Sequence, residues 1–134
     1  MAFFGKMYKL ERTENFEDFV HSLKLPPADT QAYINSRSTQ KLDKNGDEYV
    51  ITTFYDGKSS EMKFKSGVEF DEVVNSEVIP KSTITVEGNK LTHVQTFQDG
   101  NTITYVREYS PEELVVTVTA NFWPGTAKRF YSAQ

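Results

Sequence analysis

Two arginines, Arg107 and Arg129, occupy positions where a β-strand pattern places apolar residues. In residues 101–109, alternate residues share one strand face, which puts Arg107 in line with Tyr105. Arg129 shares a face with Tyr131 in the same way. A cation on an apolar face is costly unless an anion or hydrogen-bonding groups meet it. The spacing therefore indicates an internal site for an anion, unless both side chains lie on a solvated strand face.

The composition limits the class of protein. A chain of 134 residues is long enough for one domain with its own core, and we predict a single domain over residues 1–134. Aromatic residues make up 13% and hydrophobic residues 37%, which favours alternating β-strands over a helical bundle. A net charge of −4 without a basic block argues against nucleic acid as a partner. The absence of cysteine excludes a disulfide framework, and we predict no cofactor and no metal.

The N-terminal residues do not resemble a targeting signal. They reach a charge at Lys6, before any signal-peptide apolar region can form. No apolar run approaches membrane-spanning length. The sequence therefore predicts a soluble, cytoplasmic protein.

The hydrophobic period changes after a first strand predicted over residues 7–12. A stripe of apolar residues at helical spacing follows, and Asn15 is expected to cap the helix. The stripe consists of Phe16, Phe19, Val20 and Leu23. Pro27 then suits the first turn of a second helix. We predict a helix pair, the helical lid, over about residues 15–36.

From residue 37 onward the pattern is one of strands and turns. Hairpin dipeptides separate runs of β-branched and aromatic residues. They are Asn45-Gly46, Asp56-Gly57, Gly88-Asn89 and Asp99-Gly100. The predicted strands cover residues 39–44, 48–54, 60–65, 70–74, 82–87, 90–97, 101–109, 114–121 and 126–132. With the first strand this makes ten, and an antiparallel sheet of that size hides its edges by closing into a barrel.

A barrel of this size leaves space inside. Several predicted strand faces mix apolar and polar residues, which suits a cavity for an amphipathic ligand better than a dry core. The candidates for the cavity wall are Met62, Phe64, His93, Gln95, Tyr105, Leu114 and Val116. A register shift or bulge would turn His93 or Gln95 to solvent, and the pattern leaves both placements open.

Several segments together carry a family resemblance. They are residues 5–10 (Gly-Lys-Met-Tyr-Lys-Leu), 15–19 (Asn-Phe-Glu-Asp-Phe), 64–72 (Phe-Lys-Ser-Gly-Val-Glu-Phe-Asp-Glu), 81–82 (Lys-Ser), 106–108 (Val-Arg-Glu) and 129–131 (Arg-Phe-Tyr). At this spacing the whole chain resembles the intracellular lipid-binding proteins, chiefly the fatty-acid-binding proteins. The Lys-Met-Tyr start and the Arg-Phe-Tyr end are especially similar to insect midgut fatty-acid-binding proteins.

The resemblance implies an all-β fold, a ten-stranded antiparallel up-and-down β-barrel of two near-orthogonal sheets capped by a helix-turn-helix lid. It also implies carboxylate binding at the positions that match Arg107, Arg129 and Tyr131. A further head-group contact falls on Thr39 or Gln40. The expected lid and portal residues are Phe16, Phe19, Val20, Lys24 and Lys58.

Two positions depart from the family pattern. Tyr8 stands where the family usually has tryptophan, which we interpret as a packing substitution. Gly57 stands where many members have a bulky portal phenylalanine. Phe54 and Tyr55 are the candidates to replace that phenylalanine, so the usual route of ligand uptake is open to question.

The implied function is that of a cytoplasmic, monomeric carrier of one long-chain fatty acid with transient membrane contacts. A retinoid or bile-acid carrier is the nearest alternative. The missing signal, the missing cysteines and the helix pair argue against an extracellular lipocalin. An enzyme would need a nucleophile with a base, paired carboxylates or a metal cluster. We interpret the acidic cluster Glu69, Asp71 and Glu72 as solvated loop charge and predict that the protein is not an enzyme.

Overall fold

The computed structural model describes residues 3–55, 57–74 and 77–134, so Asp56 of the predicted Asp56-Gly57 turn lies outside these ranges. Two helices are present, α1 (Phe16–Ser22) and α2 (Pro27–Asn35). The strands are β1 (Tyr8–Glu14), β2 (Thr39–Asn45), β3 (Glu48–Tyr55), β4 (Lys58–Lys65), β5 (Phe70–Asp71), β6 (Lys81–Glu87), β7 (Lys90–Thr96), β8 (Thr102–Tyr109), β9 (Glu113–Ala120) and β10 (Trp123–Ala133).

All ten strands belong to one antiparallel sheet, in the order β4-β3-β2-β1-β10-β9-β8-β7-β6-β5. The first and last strands pair with Tyr8 opposite Ala133, so the sheet curls round almost to closure. No ladder joins β4 to β5 in the described parts of the chain, and these two strands form the gap. The predicted ten-stranded barrel with two helices is confirmed.

Aromatic residues pack one end of the barrel. Phe3 stacks on Tyr109 at 5.0 Å between ring centres, and Tyr8 meets Tyr109 edge-on at 5.6 Å. The Tyr8 side chain is fully buried, and its hydroxyl donates to the Ser110 carbonyl at 2.8 Å. A buried phenol with a partner for its hydroxyl fills a large apolar site without an unsatisfied group. Tyr8 is therefore a packing residue at this end of the barrel.

The apolar stripe of α1 holds the helical lid on the barrel. Phe19 is fully buried, and its ring lies 5.5 Å from that of Trp123 in β10. Phe16 meets Tyr33 of α2 at 5.4 Å, which ties the two helices together. Asn15 occupies the N-cap position of α1, as predicted, but its side chain makes no capping bond: its φ is 56°, and its Nδ2 donates to the Thr126 carbonyl at 3.2 Å. The side chain is therefore tied to β10 and not to the first turn of the helix.

The strand predicted over residues 70–74 is shorter in the structure, because β5 covers only Phe70–Asp71. Beyond it the Glu72 amide donates to the Pro80 carbonyl at 3.0 Å, and the Val74 amide donates to the Val78 carbonyl at 3.1 Å. The chain therefore folds back on itself before β6. We call residues 72–74 and 77–80 the mouth segment.

Neither helix of the described ranges is long and apolar enough to cross a bilayer.

Candidate functional site

A cavity of about 650 Å³ occupies the barrel between the helical lid and the mouth segment. The sequence-predicted residues on its wall are Phe16, Gln40, Met62, His93, Gln95, Tyr105, Arg107, Val116, Arg129 and Tyr131. His93 and Gln95, whose placement the pattern left open, are buried and line it. Thr39 is not among the described wall residues, so Gln40 is the one of that pair on the cavity.

Phe64 and Leu114, which we expected on the wall, lie instead in the packed core. Phe64 stacks on Tyr49 at 5.4 Å and on Phe70 at 6.5 Å, so its ring is used within an aromatic row. Leu114 is fully buried beside its strand partner Tyr109. Both face inward, but at levels of the barrel that neighbouring rings fill.

The strand register brings the two arginines to one row of the sheet. Val116 of β9 pairs with Arg107 of β8 on one side and with Arg129 of β10 on the other. Neighbouring strands lie roughly 4.8 Å apart, which sets the two arginine Cα atoms about 10 Å apart. All three side chains line the cavity, so both guanidinium groups border the same space.

Three buried polar atoms on this wall have no hydrogen-bond partner among the described residues. They are Gln40 Oε1, Arg107 Nε and Arg129 Nε. An unsatisfied buried group costs about 1–3 kcal/mol, and more when it is charged. Because arginine nitrogens only donate, the two Nε–H groups call for an acceptor, and a carboxylate is the acceptor that also balances their charge.

Arg129 also contacts both lid helices. Its guanidinium carbon lies 4.4 Å from the ring centre of Phe16 in α1. Its Nη2 donates to the hydroxyl of Ser36, at the C-terminal end of α2, at 3.4 Å. The side chain that borders the cavity therefore also holds the lid.

Glu72 of the mouth segment is the functional residue that the sequence reasoning missed. Its side chain is 16% exposed. Its Oε1 accepts from the hydroxyl of Ser82 at 2.9 Å and lies 2.7 Å from His93 Nε2, and its Oε2 accepts from Gln95 Nε2 at 3.1 Å. Burial acts to raise the pKa of Glu72, but the hydrogen bonds from His93, Gln95 and Ser82 hold it below its ordinary value.

Our interpretation of Glu72 as solvated loop charge is therefore wrong. Asp71 beside it is exposed and pairs with Lys81 at 2.6 Å, as a solvated charge does. The signal for the difference is in the sequence: with a period of two, Glu72 shares the inner face of Phe70 and Asp71 does not.

His93 joins Glu72 to Arg107. Its Nδ1 lies 3.2 Å from Arg107 Nη1, and because arginine only donates, Nδ1 accepts and the ring proton sits on Nε2, facing Glu72. The side chain is 2% exposed, and burial, with Arg107 acting in the same direction and Glu72 against it, lowers the pKa of His93. A carboxylate is therefore available to Arg107, since Glu72 reaches it through a neutral imidazole.

The expected portal cations lie away from the described cavity wall. Lys58 borders a surface pocket with Phe54 and Tyr55, whereas Lys24 borders another pocket, near Phe97. Tyr55 lines both its pocket and the main cavity and is 42% exposed. Of the two candidates to replace the portal phenylalanine, Tyr55 is therefore the one at the cavity mouth.

A nearly closed barrel whose internal arginine Nε–H groups have no partner among the described residues is typical of a protein that binds an amphipathic anion. The sequence profile of the lipocalin / cytosolic fatty-acid binding protein family matches residues 5–124. The chain is 42% identical over 133 residues to fatty acid-binding protein 2 of Manduca sexta, covering 99% of this chain and 100% of that protein. The chain belongs to the lipocalin / cytosolic fatty-acid binding protein family, as the sequence resemblance predicted.

Solved structures agree with this assignment. The fatty-acid-binding protein isolated from Manduca sexta is 41% identical and superposes with a TM-score of 0.89, covering 98% of this chain and 99% of that one. The Schistosoma mansoni fatty acid binding protein, in complex with arachidonic acid, is 29% identical with a TM-score of 0.88, covering 99% and 96%.

Proposed function

We propose that this protein is a carrier of one long-chain fatty acid, bound non-covalently with its carboxylate at Arg107, Arg129 and Tyr131. The single observation that carries the proposal is the pair of buried arginine Nε–H groups on one cavity wall that have no hydrogen-bond partner in the described ranges. The names of the relatives, and the arachidonic acid complex of one of them, support a fatty acid as the ligand.

The tail and the head group contribute differently to affinity. A tail of about sixteen carbons gains roughly 13 kcal/mol on burial, at about 0.8 kcal/mol per methylene, before the costs of association. A charge-assisted hydrogen bond contributes about 1.5–3 kcal/mol net. The tail therefore supplies most of the binding free energy, and the arginines select a carboxylate and orient it inward.

The class of function is tested with delipidated protein. We expect saturable, one-to-one binding of oleate by native mass spectrometry, and full recovery of the fatty acid after long incubation. An acyl thioester offered under the same conditions is expected to remain intact. Turnover that a cavity substitution abolishes would refute the carrier assignment, and a retinoid that outcompetes oleate by a wide margin would replace the ligand class.

We also propose that residues 1–134 form one cytosolic, monomeric lipid-binding domain that is not an enzyme. The family description supports the location and the non-catalytic role. Contact with membranes is proposed through the mouth segment, where Val73 and Val74 are 69% and 52% exposed beside the cavity and Ile79 is 49% exposed. Exposed apolar side chains at a cavity opening are suited to a membrane surface.

Replacing Val73 by serine is expected to slow transfer of a fluorescent fatty acid to anionic vesicles severalfold, because the exposed apolar contact is lost. Equilibrium affinity is expected to change much less than the transfer rate, because Val73 lies at the exposed rim of the cavity. Val68→Ser is the matched control, since Val68 is 53% exposed and lies outside the described cavity wall. Equal transfer rates for the two variants would refute the proposal that the mouth segment contacts the membrane.

A further inference from the structure

Polar side chains from three parts of the fold converge behind Arg107. Glu72 comes from the mouth segment, Ser82 from β6, and His93 and Gln95 from β7. Ser82, His93 and Gln95 are 0%, 2% and 5% exposed, so their contacts with Glu72 are made out of water. Buried polar side chains can cluster in this way when each of them has a hydrogen-bond partner. The cluster fixes the only carboxylate that reaches Arg107 in the described residues.

Arg107 and Glu72, at the two ends of this chain of hydrogen bonds, determine which group can lie between them. Arg107 can only donate, and the ionised Glu72 can only accept. The group between them must therefore accept on one side and donate on the other. A neutral histidine with its proton on Nε2 does so, and so does a glutamine amide. A protonated histidine carries an N–H donor on both ring nitrogens, so its Nδ1 can no longer accept a hydrogen bond from Arg107.

This arrangement uses one edge of the guanidinium and leaves another free. Nη1 of Arg107 is turned to His93, whereas Nε is buried without a partner in the described part of the chain. The charges also match an incoming anion. Arg107 and Arg129 carry two positive charges and Glu72 one negative charge, so one carboxylate makes this group neutral.

We propose that His93, backed by Glu72, is a positioning residue that orients Arg107 for the ligand carboxylate and does so only while its imidazole is neutral. The inference rests on the proposed fatty-acid function. It predicts that carboxylate affinity, and not affinity for the tail, depends on the hydrogen-bonding pattern at residue 93.

The pH dependence follows from the groups that face His93. They are Glu72 from the mouth segment, and Arg107 and Tyr105 from β8, with the Tyr105 ring 5.3 Å away. Burial raises the pKa of Tyr105 well above its ordinary value, so it stays neutral. Protonation puts a second N–H on His93, against Arg107, and breaks that contact. Because the pKa of His93 is lowered, the loss occurs below the ordinary histidine range.

The test compares His93→Gln, which keeps the accepting and donating atoms, with His93→Leu, which removes both. Oleate and oleyl alcohol are titrated against each variant and the unmodified protein. We expect His93→Leu to lose about tenfold in oleate affinity and His93→Gln to stay within about threefold, with little change for the alcohol. His21→Gln is the matched control, because the other histidine of the chain is exposed on α1.

A second measurement does not depend on the folding of His93→Leu. The ratio of the two oleate affinities is expected to stay constant from about pH 7.5 down to the ordinary histidine range, and the unmodified protein is expected to lose oleate affinity relative to His93→Gln as the pH falls below that range. This comparison removes the titration of the fatty acid itself. Nitrogen-15 shifts of His93 in the empty protein are expected to report the Nε2–H tautomer.

Parallel pH profiles for the two proteins, or equal losses in His93→Gln and His93→Leu, would overturn the positioning role. Full oleate affinity in a folded His93→Leu variant would do the same. In each of these cases oleate still binds the unmodified protein, so the carrier function stands. Failure of the unmodified protein to bind oleate at neutral pH would instead refute the proposed function.

Discussion

Arg129→Gln and Arg107→Gln are each expected to weaken oleate binding by roughly tenfold to a few hundredfold, about 1.5–3 kcal/mol. Each change removes a charged donor whose Nε–H is buried and otherwise unpartnered in the described ranges. Affinity for oleyl alcohol is expected to change much less, because the tail contacts are untouched. Competition against a fluorescent fatty acid, with acid and alcohol measured side by side, checks the result.

Stability separates a ligand site from a structural pair. In the empty protein each arginine has a like charge across the cavity and also a stabilising contact, Arg107 with His93 and Arg129 with Ser36, so removing either is expected to change the free energy of unfolding by less than about 2 kcal/mol. Lys24→Gln, which removes a cation away from the described cavity wall, is the matched control and is expected to leave oleate binding intact. A loss of several kcal/mol in stability, with acid and alcohol weakened equally, would make the arginine structural.

Phe19→Ala is expected to speed dissociation of the fatty acid at least tenfold while the barrel stays folded. Truncating a buried phenylalanine costs about 3–5 kcal/mol, and this ring is the one that packs on Trp123 of β10. The helical lid therefore loses much of its hold on the barrel, whose strands remain complete. Stopped-flow release of a fluorescent fatty acid measures the rate, and the fluorescence of Trp123, the single tryptophan, reports the lid.

Leu25→Ala is the matched control for the lid, because Leu25 is an apolar residue between the two helices that is 37% exposed. Its truncation is expected to leave the release rate and the stability nearly unchanged. If Phe19→Ala instead loses the β-sheet circular dichroism signal at room temperature, the helices are part of the core and do not act as a separable lid.

The inward placement of the two arginines was predictable because side chains alternate strictly between the two faces of a strand whose pairing is regular. Tyr105 and Arg107 lie on an unbroken stretch of β8, so parity in the sequence equals position in the barrel. The alternation shows which strand face a residue occupies, but it does not show how far along the barrel axis the residue lies. Phe64 and Met62 share a face of β4, yet Met62 lines the cavity and Phe64 is taken up by the rings of neighbouring strands.

Tertiary contacts account for the other differences. Asn15 stands at the N-cap position, but its left-handed backbone and the bond from its Nδ2 to a carbonyl of β10 orient the side chain away from the helix, and it makes no capping bond. Glu72 has the same parity as Phe70, but β5 is only two residues long, so this period-of-two signal is weak, and the acidic residues around Glu72 are typical of a loop. What identifies it is the trio of donors on β6 and β7, which are far along the chain and meet it only in the folded barrel.

The pairing of β1 with β10 has a consequence for how the chain folds. Six residue pairs, from Tyr8 opposite Ala133 to Glu14 opposite Lys128, join segments at opposite ends of the sequence. Such contacts carry a large loop-closure entropy and make folding slow relative to helical proteins of equal length. During synthesis, β1 leaves the ribosome long before its partner exists and keeps an unpaired edge. The nascent chain is therefore at its most exposed to aggregation until β10 has been made.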